Sequence, residues 1–246
     1  SSYIITGGLG GLGLFLAGAG IGVWDVSMNV EGADVEQRLG RAIMPRFHAG
    51  FSLGTVGGAL AGAGAAAAGV PLATQLVATA AVVVVALVVS TRAFLPVHVP
   101  EPDAAAGPSG VALAWREPRT LLIGLMVLAF AFTEGTANDW VAVALVDGYD
   151  VGGAAAAAGF AVFVSAMTVA RMVGTGLLDR FGRVPTLRVS GVTAIAGVLL
   201  FVFAGSPWLA MAGAVLWGAG AALGFPVGMS AAADEPARAG ARVSVV

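Results

Sequence analysis

The chain has 246 residues, of which 58% are apolar and only 11% are charged, and its mean hydropathy is +0.93. Soluble domains carry about 25% charged residues, so this chain cannot cover a soluble globule with polar surface, and a membrane protein is indicated. The net charge of −2 gives no reason to expect a nucleic-acid partner. The absence of cysteine excludes disulfides and thiolate metal sites. No cofactor or metal is expected.

Seven apolar stretches are long enough to span a bilayer, because about 20 helical residues cross its core of about 30 Å. In chain order they are residues 4–29, 48–69, 72–91, 120–146, 153–177, 187–205 and 208–230. The connection at 96–118 is longer and rich in Pro, Ala and Gly, which favours a flexible linker and a domain boundary. The predicted fold class is an all-α polytopic membrane protein with about seven transmembrane helices.

The arginines predict the orientation of these spans. All 12 basic residues are Arg, and they lie on or around alternate connections between the spans: Arg38, Arg41, Arg46, Arg92, Arg116, Arg119, Arg171, Arg180, Arg183, Arg188, Arg238 and Arg242. By the positive-inside rule that side is cytoplasmic. The N-terminus of this chain is then outside and its C-terminus inside.

Glycines recur every four residues on two spans. They are Gly50, Gly54, Gly58 and Gly62 on the second span, and Gly220, Gly224 and Gly228 on the seventh. Small residues at this spacing let helices approach closely in lipid, and they could also let helices slide during transport. On the seventh span Pro226 predicts a kink, and Trp217 is expected to face lipid. Residues 8–13 fit G-x-G-x-x-G, but no strand precedes them, so helix packing explains them better than a nucleotide site.

The most specific motif is Gly174-Thr175-Gly176-Leu177-Leu178-Asp179-Arg180-Phe181-Gly182-Arg183. It resembles the G-x-x-x-D-R-x-G-R loop of the major facilitator superfamily. A tight basic turn would account for its arginines but not for Asp179 and Gly182. Thr175 stands where the motif has glycine, so the helix contact is predicted to shift by one residue. The resemblance implies a cytoplasmic gate motif made of Asp179, Arg180, Gly182 and Arg183.

The resemblance also implies a register within a twelve-helix transporter. Residues 1–95 would hold helices four to six, 96–118 the central cytoplasmic linker, and 119–246 helices seven to ten with the start of eleven. Helices one to three and eleven to twelve would be missing. The stretches 25–32 with 52–54, and 134–140 with 146–148, look like an uncharacterised bacterial inner-membrane subgroup of the superfamily.

Charged and amide residues inside the spans are the candidate binding groups, because such residues are costly in a membrane. Asp25 either reaches water from a helix end or titrates during transport; with Asn29 it is similar to an acid-x-x-x-Asn segment of sugar–proton symporters in the superfamily. His48 is either a partner of Asp25 or an interfacial residue. Arg171 is either interfacial or faces the cavity.

Two acids of the fourth span are expected to differ. Glu134 and Asn138 share a helix face and are predicted to line the cavity, whereas Asp139, rotated by about 140°, is expected to cap or gate the outer end. Trp140 is an interface anchor or a cavity wall. The predicted substrate- and proton-binding residues are therefore Glu134, Asn138, Asp25, Asn29 and Trp140. The charged residues from Glu31 to Arg41, Glu36 among them, are expected to form a solvated helix extension.

These residues predict a secondary active transporter of a small polar solute, coupled to protons, in the bacterial inner membrane. A sugar and a cationic drug suit the predicted site about equally. The alternatives are a drug or metabolite exporter of the same fold, and a fragment that transports nothing. An intramembrane enzyme would need a nucleophile–base set or metal ligands, which the sequence does not supply convincingly. The expected partners are the solute, protons and the lipid bilayer.

Overall fold

The computed structural model describes residues 2–93 and 108–246, without the side chains of residues 2–9, 59, 63, 66, 67, 108 and 109. This part of the chain is helical and contains no strand. The α-helices are α1 (Ser2–Leu39), α2 (Met44–Ala67), α3 (Leu72–Thr91), α4 (Pro108–Ala114), α5 (Pro118–Tyr149), α6 (Gly153–Phe181), α7 (Arg183–Phe203), α8 (Pro207–Ala221), α9 (Gly224–Ala232) and α10 (Ala239–Val243).

Six of these segments are long and apolar enough to cross a membrane, counted over the described residues. They are Gly10–Leu39, Leu72–Thr91, Pro118–Tyr149, Gly153–Phe181, Arg183–Phe203 and Pro207–Ala232. The predicted second span corresponds to α2, a helix of 24 residues that is not among the six. The all-α polytopic membrane fold is confirmed. The predicted linker overlaps α4, and its residues 96–107 lie outside the described ones.

The seventh predicted span is broken between α8 and α9. Helix α8 ends at Ala221 and α9 begins at Gly224. Proline has no backbone N–H, so Pro226 cannot donate the helical hydrogen bond that the carbonyl of Ala222, four residues earlier, would accept. That carbonyl therefore needs a hydrogen-bond donor from elsewhere in the protein.

A glycine ends α6 and forms the turn into α7. Gly182 has φ of 81°, a left-handed conformation that side chains disfavour, and its N–H donates to the carbonyl of Leu178 at 2.9 Å. Asp179 and Arg183 therefore lie on either side of a helix break, and the i, i+4 spacing of a continuous helix does not relate their side chains. Gly174 packs against Leu223 while a side chain at Gly176 would meet nothing, which agrees with the predicted shift of the contact.

The chain divides into two compact units, and the second consists of Pro45–Glu101 and Thr133–Leu223. Within it α6 and α7 both pack on α8. A Cβ atom at Gly197 or Gly220 would overlap the backbone of the facing helix. The indole of Trp217 lies between Phe163 and Phe201, each with a ring centroid 5.7 Å away. Trp217 is 5% exposed, so the prediction that it faces lipid was wrong: the glycines bring the helices close enough to enclose it.

The first unit consists of Ser1–Met44, Pro102–Phe132 and Gly224–Val246. Its core joins α1, α5, α9 and α10 through a cluster that includes Ala33, Val127 and Met229. The glycine stripe of the seventh predicted span continues here: a Cβ at Gly224 would overlap the ring of Phe130, and one at Gly228 would overlap Val127. By contrast, a Cβ atom at Gly50, Gly54 or Gly58 of α2 would have no atom of the described residues within 4 Å.

Glu36 is buried in the first unit, which corrects the prediction of a solvated helix end. One carboxylate oxygen accepts hydrogen bonds from the backbone N–H groups of Ile43 at 2.8 Å and Met44 at 2.7 Å. The other accepts from the hydroxyl of Ser230. The first N–H groups of a helix have no partner within the helix, so an anion at the start of α2 is well placed. Asp34, by contrast, forms an exposed pair with Arg38 at 2.8 Å.

A second ionic cluster in the first unit ties the start of α5 to the C-terminal segment. The carboxylate of Glu117 pairs with Arg238 at 2.6 Å and with Arg242 at 2.7 Å, and it accepts a hydrogen bond from Thr120 at 2.8 Å. The hydrogen bonds from Arg242 and Thr120 hold the pKa of Glu117 below its ordinary value. Glu117 therefore stays ionised, and both ion pairs persist, to a lower pH than for a free carboxylate.

Candidate functional site

The candidate site is built around one buried guanidinium in the second unit. Arg171 lies on α6 and is 2% exposed. Its Nη2 donates to the carboxylate of Glu134 at 2.8 Å, and its Nη1 donates to the hydroxyl of Ser52 at 2.6 Å. Its Nε donates to the carbonyl of Ala222 at 3.1 Å. The site thus gathers groups from α5, α2 and the break after α8.

Each partner of Arg171 is available for a local reason. Ala222 has a free carbonyl because Pro226 lacks the N–H that would bond it in a continuous helix. Ser52 uses its own hydroxyl hydrogen on the carbonyl of His48, at 3.1 Å, so its oxygen remains an acceptor for Arg171. Glu134 supplies the negative charge from the middle of α5. Together they fix the guanidinium at three of its five N–H groups.

The pair is buried unequally. The Arg171 side chain is 3% exposed, while that of Glu134 is 21% exposed. The carboxylate therefore keeps some contact with water, whereas the guanidinium is held inside the protein and keeps its charge. His48, on α2, is also buried, and the charge of Arg171 acts on its imidazole. The site therefore places a buried positive charge beside a partly exposed carboxylate.

Other predicted residues of α5 lie near Glu134 in sequence but in a different environment. Asn138 shares the helix face of Glu134 by its i, i+4 spacing, yet it is exposed, as is Asp139. Trp140 is 60% exposed. The hydrogen bonds of the Arg171 guanidinium go instead to Glu134, Ser52 and Ala222. The roles of the three exposed residues in the cavity or at the interface stay predictions.

Asp25 and Asn29 are joined to each other in the first unit. Asn29 is 1% exposed. Its side-chain amide donates to the backbone carbonyl of Asp25 at 2.9 Å and to the carboxylate of the same residue at 3.2 Å. The acid-x-x-x-Asn spacing therefore produces one hydrogen-bonded pair on a helix face, as the i, i+4 geometry requires.

The residues of the predicted gate motif surround the turn between α6 and α7. Asp179 and Arg180 are exposed, and Arg183 is half-buried. The Arg180 guanidinium lies 5.1 Å from the centroid of the Phe181 ring, a cation–π contact. The motif thus forms a compact polar turn whose shape is set by Gly182.

A family model described as Major Facilitator Superfamily matches residues 12–246. The chain belongs to this superfamily. The membership of the superfamily that residues 174–183 indicated is confirmed, and the assignment of the turn at Gly182 to the superfamily's loop motif stays a prediction. The helical numbering and the division into two halves that the resemblance implied stay predictions.

Two relatives within the superfamily match almost the whole chain. An uncharacterized transporter, y4wD, of Sinorhizobium fredii is 34% identical over 236 residues, which is 96% of this chain and 62% of the relative. An uncharacterized MFS-type transporter of Yersinia pestis is 28% identical over 224 residues, which is 91% of this chain and 57% of the relative. The chain therefore spans about three fifths of the length of these relatives. No solved structure matches it.

Sequence reasoning missed the partners that complete the site. In the sequence, Ser52 stands out only as part of the stretch 52–54 that resembles a subgroup of the superfamily, and Ala222 does not stand out at all. The one usable signal was Pro226, since a proline inside a span leaves a carbonyl that a neighbouring group must satisfy. An arginine inside an apolar span was the obvious donor, but the sequence does not say which helices lie together.

Proposed function

We propose that this chain forms most of a secondary active transporter that moves a small polar solute across the bacterial inner membrane by alternating access, coupled to protons. The observation that carries the proposal is the ion pair of Glu134 and Arg171, whose side chains are 21% and 3% exposed within a bundle of membrane helices. Ionisable residues at such positions are costly and usually belong to a solute or proton pathway. The orientation follows from the arginines, with the turn at Gly182 on the cytoplasmic side.

Replacing Glu134 by glutamine is expected to abolish proton-driven solute uptake, because glutamine keeps the shape of the side chain but cannot take up a proton. Uptake would be measured in proteoliposomes with and without an inward proton gradient. The measurement would be made on this chain and on a longer protein that contains it and is as long as the relatives. Asp139→Asn is the matched control, since Asp139 is an exposed acid on the same helix. Uptake by the glutamine variant that still follows the proton gradient would refute the proposed role of Glu134.

We further propose that the turn containing Asp179, Arg180, Gly182 and Arg183 holds the cytoplasmic gate closed. Asp179→Asn is then expected to shift the transporter toward a cytoplasm-open state and to lower the uptake rate. Accessibility of cysteines introduced on the cytoplasmic side, in this naturally cysteine-free chain, would measure the shift. Arg188→Gln, an exposed charge beyond the turn, is the control. An unchanged rate and labelling pattern in Asp179→Asn would refute this role.

A further inference from the structure

The charge balance of the buried site points to the class of solute, and this inference rests on the function proposed above. Within the described residues, Arg171 has one carboxylate partner, Glu134. The charge of Arg171 also acts on the imidazole of His48, on α2, which is not an acid. Among the described groups that interact with Arg171, the negative charge therefore resides on Glu134 alone.

Protonation of Glu134 leaves the guanidinium without a counter-charge. Arg171 cannot respond by losing its own proton, because arginine stays protonated in proteins. An uncompensated charge in a buried site is strongly unfavourable, so the protonated site gains most from an incoming negative charge. A neutral solute would leave the charge uncompensated. A cation would add a second positive charge beside it.

The geometry also suits an anion. The bonds to Ser52 and to the carbonyl of Ala222 do not depend on Glu134, so they hold the guanidinium in place when the carboxylate is neutral. The N–H group of Nη2 that pointed to Glu134 is then available to an oxyanion, and hydrogen bonds from a guanidinium to a carboxylate are charge-assisted and strong. The remaining fixed bonds keep the donor aimed in one direction.

We propose that the solute is a small organic anion, bound through its carboxylate by Arg171 when Glu134 carries a proton. One proton and one negative charge then enter the site together, so the loaded and empty forms have the same net charge. The sequence left a sugar and a cationic drug equally suitable. The burial of Arg171 against Glu134 disfavours both.

Ligand-induced thermal stabilisation of the purified chain tests this directly. Acetate, lactate and succinate are the probes, and acetamide, lactamide and glucose are their neutral counterparts. At least one carboxylate is expected to raise the unfolding temperature, more strongly at pH 5.5 than at pH 7.5, while the neutral compounds do not. Stabilisation by a neutral compound or by an organic cation such as choline, with none by the carboxylates, would overturn the proposal.

Glu134→Gln is the decisive variant because the proposal predicts that it binds the carboxylate probe more tightly. The glutamine side chain is permanently neutral. At pH 7.5 the carboxylate probe should therefore bind this variant about tenfold more tightly than it binds the unmodified chain, which is within the range usual for coupled sites. The affinity of the variant for the probe should not depend on pH. The double variant Arg171→Met/Glu134→Gln, which lacks both charges, should not bind it. Equal affinity of the unmodified chain and the Glu134→Gln variant at pH 7.5 would overturn the proposal.

The outcome is separable from that of the proposed transport function. Arg171-dependent carboxylate binding without proton-coupled uptake would leave this inference standing and refute the transport proposal. Proton-coupled uptake of glucose or choline, with no carboxylate binding, would refute this inference and leave the transport proposal standing.

Discussion

Replacing Arg171 by methionine is expected to lower the free energy of unfolding by about 3–5 kcal/mol, because removing one partner of a buried ion pair leaves the other charge uncompensated. The loss should lie toward the lower end of that range, since the carboxylate of Glu134 is 21% exposed and keeps some contact with water. Methionine also leaves the carbonyl of Ala222 without its donor. Unfolding by SDS titration in mixed micelles, followed by circular dichroism, would measure the change.

A double-mutant cycle separates the ion pair from simple packing. The variant Arg171→Met/Glu134→Gln should be more stable than Arg171→Met alone, because glutamine removes the stranded negative charge. Arg188→Met, at an exposed position on α7, should change the free energy by less than about 0.5 kcal/mol. If the double variant lost the sum of the two single losses, Arg171 and Glu134 would not be energetically coupled.

The membrane-spanning helices of this chain are predictable because the length of each apolar stretch in the sequence determines whether it can span a bilayer. The predicted third span, 72–91, coincides with α3 (Leu72–Thr91), and the others differ mainly at their ends. Helix α1 continues to Leu39, beyond the predicted end at residue 29. A span predicted from hydropathy ends where charged residues begin, whereas a helix continues as long as its backbone hydrogen bonds are satisfied. The extra turns carry Asp34, Glu36 and Arg38.

The pairing of charges was not predictable in the same way. Hydropathy marked Glu134 and Arg171 as unusual, but each depends on a partner 37 residues away in the chain. Helical spacing reaches only three or four residues along one face, so it found the bond of Asn29 to Asp25 and not the bond of Arg171 to Glu134. The same limit explains Glu36, whose partner Ser230 lies 194 residues away.

Replacing Glu36 by alanine is expected to lower the free energy of unfolding by about 3 kcal/mol or more, because three groups lose their acceptor and each costs about 1–3 kcal/mol when left buried without a partner. The N–H groups of Ile43 and Met44 at the start of α2 would both lose their acceptor. The hydroxyl of Ser230 would lose its acceptor as well. SDS titration would again measure the change, and hydrogen exchange at Ile43 and Met44 should accelerate.

Asp34→Ala is the matched control for Glu36→Ala, because it removes an acid two residues away on the same helix. Asp34 forms an exposed i, i+4 pair with Arg38, and such pairs contribute about 0.3–0.5 kcal/mol. The two variants therefore remove the same charge and differ in burial. Equal losses of stability would mean that net charge near the end of α1 matters and that the buried bonds of Glu36 do not. A much larger loss for Glu36→Ala would show that the carboxylate acts through its hydrogen bonds to the start of α2. The charges along the sequence do not distinguish Glu36 from Asp34, because both are acids on the same helix.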